Sequence, residues 1–149
     1  MKLIDSHAHL DNEQFDEDRA EVLERIKENL EFAVNIGYDI ESSRRSVKYA
    51  NENDFIYAVV GVHPIDIEGY SDEVEKELEE LASDKKVLAI GEIGLDYHWM
   101  TQPKEVQQKF FRRQMELARR VGKPVVIHSR DAMEDTLTIL KEFPDVGGI

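Results

Sequence analysis

The chain has 149 residues, 41% of them hydrophobic, no cysteine and a formal net charge of −13. That length supports one buried core, expected as a single domain over residues 1–149. Disulfides and thiolate metal sites are excluded, no apolar run approaches the roughly 18 residues of a membrane span, and so acidic a chain does not coat nucleic acid through general backbone electrostatics.

Residues 3–5 are a brief apolar start. Ala20, Val22, Leu23, Ile26 and Leu30 then recur at helical spacing, which predicts a helix over 16–28. Residues 32–36 read as a strand, with Gly37 and Asp39 as punctuation, and a helix is expected over 42–53. A strand over 56–62 precedes a helix over 72–82, for which Ser71 is the N-cap candidate. After a strand over 87–90, Pro103 stands where the first turn of a long helix would begin, and Gly122 fits the position just past its end. Residues 124–127 read as a strand, 131–143 as a helix capped by Asp131, and 146–149 as the opening of another strand. The acidic stretches 13–31 and 68–84 fall on amphipathic helices and read as solvated faces. His and Asp near the start leave no room for an apolar signal segment, so a cytoplasmic location is expected.

Alternating strands and helices, with strands apolar on both faces, predict a parallel α/β fold with helical crossovers, either an open sheet or a closed barrel. The histidines favour the barrel. His7, His9, His63, His98 and His128 all fall at or just beyond a strand end, the rim where side chains of different strands converge. A complete (β/α)8 barrel needs at least about 200 residues. The expectation is therefore a TIM-barrel type truncated to about five βα units plus the start of a sixth strand, with open edges that invite dimerisation or a complementing chain.

Four motifs carry chemistry. In Asp5-Ser6-His7-Ala8-His9, strand alternation puts both imidazoles on one face with α-carbons about 6.6 Å apart, close enough to share an ion at bonds of about 2.1 Å. A surface or capping pair is the alternative. Asp5 has the same parity and could support them from behind. Glu92, between Gly91 and Ile93-Gly94, is costly to bury unless it meets a cation or metal; the alternative is an exposed loop carboxylate bridged to lysine. Asp96 reads either as a turn cap or as a partner to a ligand, and Trp99 either as a stacking platform for a base or as a cover for the core.

His128 ends an apolar strand, as a ligand or as a satisfied core residue. Its neighbour Arg130 offers a planar fork for phosphate, or a surface ion pair. His63, in Gly61-Val62-His63-Pro64, could hydrogen-bond a phosphate or leaving group, or simply fit a turn. A nitrogen-rich donor set suits zinc, manganese or cobalt better than magnesium.

Residues 4–10 (IDSHAHL), 61–64 (GVHP), 91–97 (GEIGLDY) and 126–132 (VIHSRDA), with 134–137 (EDTL), 41–45 (ESSRR) and 111–117 (FRRQMEL) in support, resemble the TatD-type metal-dependent deoxyribonucleases of the amidohydrolase superfamily. The resemblance implies DNA as substrate and two divalent ions (Zn, Mn or Mg). His7, His9 and Glu92 would hold one, and Glu92 would bridge to a second held by His128. It further implies that His63 faces the substrate phosphate; Arg130 is expected to bind substrate beside it, and Glu92 and His63 are the expected catalytic residues. The family's later ligand histidine and catalytic aspartate have no counterpart here. An ester, lactone or amide hydrolase remains as an alternative, mildly opposed because no lysine after Gly94 reads as a carbamylated bridge and Glu92 stands where a bridge is wanted. A catalytically silent, metal-binding, self-associating fragment remains as another.

Overall fold

Strand and helix alternate through the whole of the computed structural model, which describes residues 2–149. The order is β1 (Leu3–Ala8), α1 (Arg19–Asn29), β2 (Leu30–Ile36), α2 (Ile40–Glu52), β3 (Ile56–Val60), α3 (Asp72–Ala82), β4 (Val87–Asp96), α4 (Lys104–Val121), β5 (Val125–Arg130) and α5 (Met133–Lys141), with short 3₁₀ turns at Glu13–Phe15 and Ile67–Gly69. All neighbouring strands are parallel and lie in chain order β1-β2-β3-β4-β5. Such a sequential parallel sheet curls into part of a (β/α)8 barrel, because each helical crossover returns on the same side.

The strand sequences explain the two layers of packing. Alternate residues of β3 go to opposite faces: Ile56, Ala58 and Val60 join helical Leu78, Phe111, Met115 and Ile139 in the outer core, whereas Val59 joins Val34, Ile36, Ala89 and Val126 in a smaller cluster made only by strands. Strands buried on both faces have no polar side to offer, which is why they read as near-continuous apolar runs.

Helix ends follow local chemistry. The Ser71 side chain accepts from the Val74 amide at the start of α3, as expected, and Gly122 closes α4 in the left-handed region with φ 67°. Asp39 and Ser42 form a capping box that starts α2 two residues before the expected position. Pro103 precedes α4 as its cap residue and does not enter the first turn. Asp131 does not cap α5: it adopts φ 54°, Ala132 is the cap residue, and the helix is shorter than expected. Residues near the chain end lie along β5, with Val125 bridged in parallel to Gly148, as the expected opening of a further strand requires.

β4 runs on through the motif instead of stopping at Ile90. Gly94 makes this possible. Its φ is 143°, and a Cβ there would lie 2.0 Å from the His128 carbonyl oxygen, so only glycine lets β4 and β5 approach at the rim.

Candidate metal centre

His7 lies near the end of β1, His9 just after it, His63 three residues past β3, Glu92 within β4 and His128 within β5. Parallel strands deliver all five side chains to one rim. Ligand atoms of His7, His9 and Glu92 lie within 4.8 Å of one another, and so do those of His63, Glu92 and His128. Two donors at about 2.1 Å from one ion are at most about 4.2 Å apart, so small side-chain movements bring each group to bonding range. The nitrogen and oxygen donors, without sulfur, suit a divalent ion of borderline or hard character.

Glu92 joins the two groups. Oε2 is 3.4 Å from His7 Nε2 and Oε1 is 3.2 Å from His128 Nδ1. Burial alone would raise the Glu92 pKa, but hydrogen bonds with His128 and His7 reverse this, and the carboxyl is held well below the usual carboxylate range. The same bonds raise His7 and His128 above the ordinary histidine value.

His9 and His128 are each oriented by their other nitrogen. His9 Nδ1 donates to the Ile36 carbonyl at 3.1 Å, which leaves Nε2 with a lone pair. His128 Nε2 is 2.9 Å from Asp96 Oδ2, so in the neutral ring the lone pair falls on Nδ1, the nitrogen facing Glu92. His63 differs. Its Nδ1 accepts the Ile65 amide at 3.2 Å, so the neutral ring carries its proton on Nε2 and presents a donor. Burial lowers its pKa to about 4, which keeps the ring uncharged. Its ring packs edge-on against His128, with centroids 4.1 Å apart.

The two readings of Asp96 hold together. Oδ2 meets His128, while Oδ1 accepts the amides of His98 and Trp99. Asp5 supports His7 through the backbone, because its carboxylate accepts the His7 amide at 3.0 Å and does not reach the ring. His98 stands apart from the cluster and faces Asp131 at 3.4 Å. Trp99 does not cover the core, since 61% of it is exposed. Among the described residues Arg130 lies within hydrogen-bonding distance of no carboxylate, and it sits 5.6 Å from the Trp99 ring centroid.

Sequence reasoning missed Tyr38, whose ring meets His9 edge-on at 5.9 Å, and Asn35, which links the Leu10 amide, Asp11 and Ser46 beneath the first motif. Neither stands in a recognisable pattern; only its position beside the β1 end marks it. His9, Tyr38, His63, Asp66 and Glu92 line an open cavity of about 380 Å³.

The family model for TatD related DNase matches residues 4–149, and the chain belongs to that family. It is 48% identical over 150 residues to the uncharacterized metal-dependent hydrolase YabD of Bacillus subtilis, covering 99% of this chain and 59% of that protein. It is 37% identical over 137 residues to the 3'-5' ssDNA/RNA exonuclease TatD of a Rahnella species, covering 91% of this chain and 52% of that protein. The solved structure of YjjV, a TatD homolog from Escherichia coli, superposes with a TM-score of 0.87 at 31% identity over 97% of this chain and 57% of its own. The chain thus spans little more than half the length of these relatives. No helix among the described residues is long and apolar enough to cross a membrane.

Proposed function

We propose that residues 1–149 form one domain that carries the metal-holding rim of a hydrolase of phosphodiester bonds in DNA. The observation that carries this reading is the Glu92 carboxylate, which turns one oxygen to the His7 group and the other to His128. A pair of divalent ions (Zn, Mn or Mg) shared by such a carboxylate would supply Lewis acidity toward a phosphoryl oxygen and lower the pKa of water.

The chain's own residues divide the remaining work. His7, His9 and Glu92 would hold one ion, and Glu92 and His128 the other. Asp96 keeps the His128 lone pair on the Glu92 side. Neutral His63, with its proton on Nε2, donates to a phosphate oxygen, and its tautomer argues against a ligand role because metal binding through Nε2 would cost the bond from Ile65. Arg130 contacts the substrate backbone. The name of the Rahnella relative supports a nucleic acid substrate.

Metal content and solution mass of the purified chain, with nuclease assay on 3'-labelled single-stranded DNA in Mn²⁺, test this. Bound metal that Glu92→Ala removes from both groups, and label release above a His7→Ala, His9→Ala control, are the expected results. Hydrolysis of aryl esters but not DNA would turn the assignment to an ester hydrolase.

A second reading is a self-associating, metal-binding scaffold. It is favoured by the exposed apolar residues Leu3 and Ile4 on β1 and Met133, Leu137 and Ile149 near β5, surfaces through which another copy or a complementing chain would dock. Metal uptake with no label release, in a chain whose solution mass exceeds one copy, would establish it.

A further inference from the structure

We propose that Trp99 and Arg130 form a nucleotide subsite beside the histidine cluster, with the indole taking one unpaired base and the guanidinium its phosphate. This rests on the nuclease reading for its substrate class and adds what would select single strands.

Trp99 is the only tryptophan of the chain, and the residue is exposed to solvent. It is nevertheless placed with care. Asp96 Oδ1 accepts the Trp99 amide at 2.9 Å and the His98 amide at 3.0 Å, while Oδ2 of the same buried carboxylate is 2.9 Å from His128 Nε2. One side chain therefore sets the distance from the indole loop to the cluster. Thr101 ties the far end of that loop to the Ile65 carbonyl, two residues past His63. The His98 ring meets the indole edge-on at 4.9 Å and is itself turned toward Asp131.

Arg130 completes the site by what it lacks. Among the described residues every other arginine lies within 4.0 Å of a carboxylate oxygen, in a chain whose acidic residues outnumber its basic ones by 32 to 19. Arg130 has no such partner and rests against the Trp99 ring. It pairs with Asp96 in the β4–β5 register, two residues beyond His128 and hence on the same strand face. An unneutralised guanidinium beside an open aromatic ring matches the phosphate and the base of one nucleotide.

Stacking of one base on an aromatic side chain needs an unpaired base, so a duplex gains nothing here. With a net charge of −13 working against a polyanion, such local contacts must carry the affinity.

Because Trp99 is the sole indole, its fluorescence reports the subsite directly. Titration of the metal-free full chain with a short oligothymidylate should quench the emission saturably, while a blunt duplex should not. Arg130→Ala should weaken binding about tenfold and flatten the dependence of log affinity on log salt by about 0.7. Trp99→Ala should lose about tenfold by anisotropy of a labelled oligothymidylate, with Trp99→Phe in between.

Equal quenching by duplex, or affinities of both Trp99→Ala and Arg130→Ala within twofold of the parent, would overturn the subsite. So would an indole that acrylamide cannot reach in the free chain, which would mean that a second copy covers it. Quenching without metal uptake or cleavage would instead sink the nuclease reading and keep the subsite; cleavage with unchanged KM in both variants would do the reverse.

Discussion

The outermost strands β1 and β5 bring histidines to the same rim by opposite means. β1 pairs only with β2, is largely exposed, and leaves the His7 side chain 41% accessible, with Glu92 as its side-chain partner. β5 is buried over its first residues, and His128 is held between Glu92 and Asp96 with His63 packed against its ring. The difference shows that candidate ligands of equal chemistry are not equally preorganised: burial and a second carboxylate lock one imidazole, and the other waits on an exposed strand.

The hardest test of that contrast is Gly94→Ala. A Cβ 2.0 Å from the His128 carbonyl in a left-handed backbone pushes β4 from β5 where Asp96 meets His128. A loss of about 4 kcal/mol or failure to fold is expected in denaturant unfolding; a loss below about 1 kcal/mol would show that this rim is not tightly built. Next in size is His128→Ala, which leaves the buried Asp96 and the partly buried Glu92 carboxylates short of a cationic partner. It should cost about 3 kcal/mol in the same measurement.

pH supplies the third test, through His63. Its pKa is about 4 in the folded chain against an ordinary 6.5. Between those values the unfolded chain binds a proton that the folded one refuses, so the stability of the metal-free chain rises with pH across the window. About 2 kcal/mol should be lost on going from neutral pH to about pH 5, and His63→Gln should abolish that loss. The raised values of His7 and His128 act elsewhere: their contribution is complete below 6.5 and is lost as pH rises through the folded pKa. A parent and a His63→Gln variant with parallel stability curves from pH 4 to 7 would refute the assignment.

The smallest effect belongs to His7→Ala. Its partly exposed pairing with Glu92 is screened by solvent, so stability should change by about 0.5 kcal/mol or less. Metal content should nevertheless fall. A stability loss as large as that of His128→Ala would erase the distinction between the two strands.

Much of this was legible beforehand where the cause is local. The acidic amphipathic stretch over 68–84 contained α3, the Ser71 hydroxyl fell at its start and Gly122 at the end of α4, because caps depend on a few neighbouring dihedrals and donors. The run over 124–127 similarly marked β5, though not its extension to Arg130. Local cues failed where a distant partner decides. β4 continues to Asp96 because β5 lies alongside to pair with it, and Asp131 takes a left-handed backbone beside His98 where a cap was expected.

By itself the sequence determined the residue types at the rim, the alternation that brings strand ends together, and a donor set limited to nitrogen and oxygen. These follow from composition and from periods of two and about 3.6 residues. Only the tertiary structure decided that Glu92 faces two histidine groups, that Asp96 serves both His128 and the Trp99 loop, and that Arg130 alone among the described arginines has no carboxylate. Those are relations among side chains on different strands. Hydrogen-bond geometry and burial arise only when packing brings such side chains together, so no periodicity along the chain encodes them.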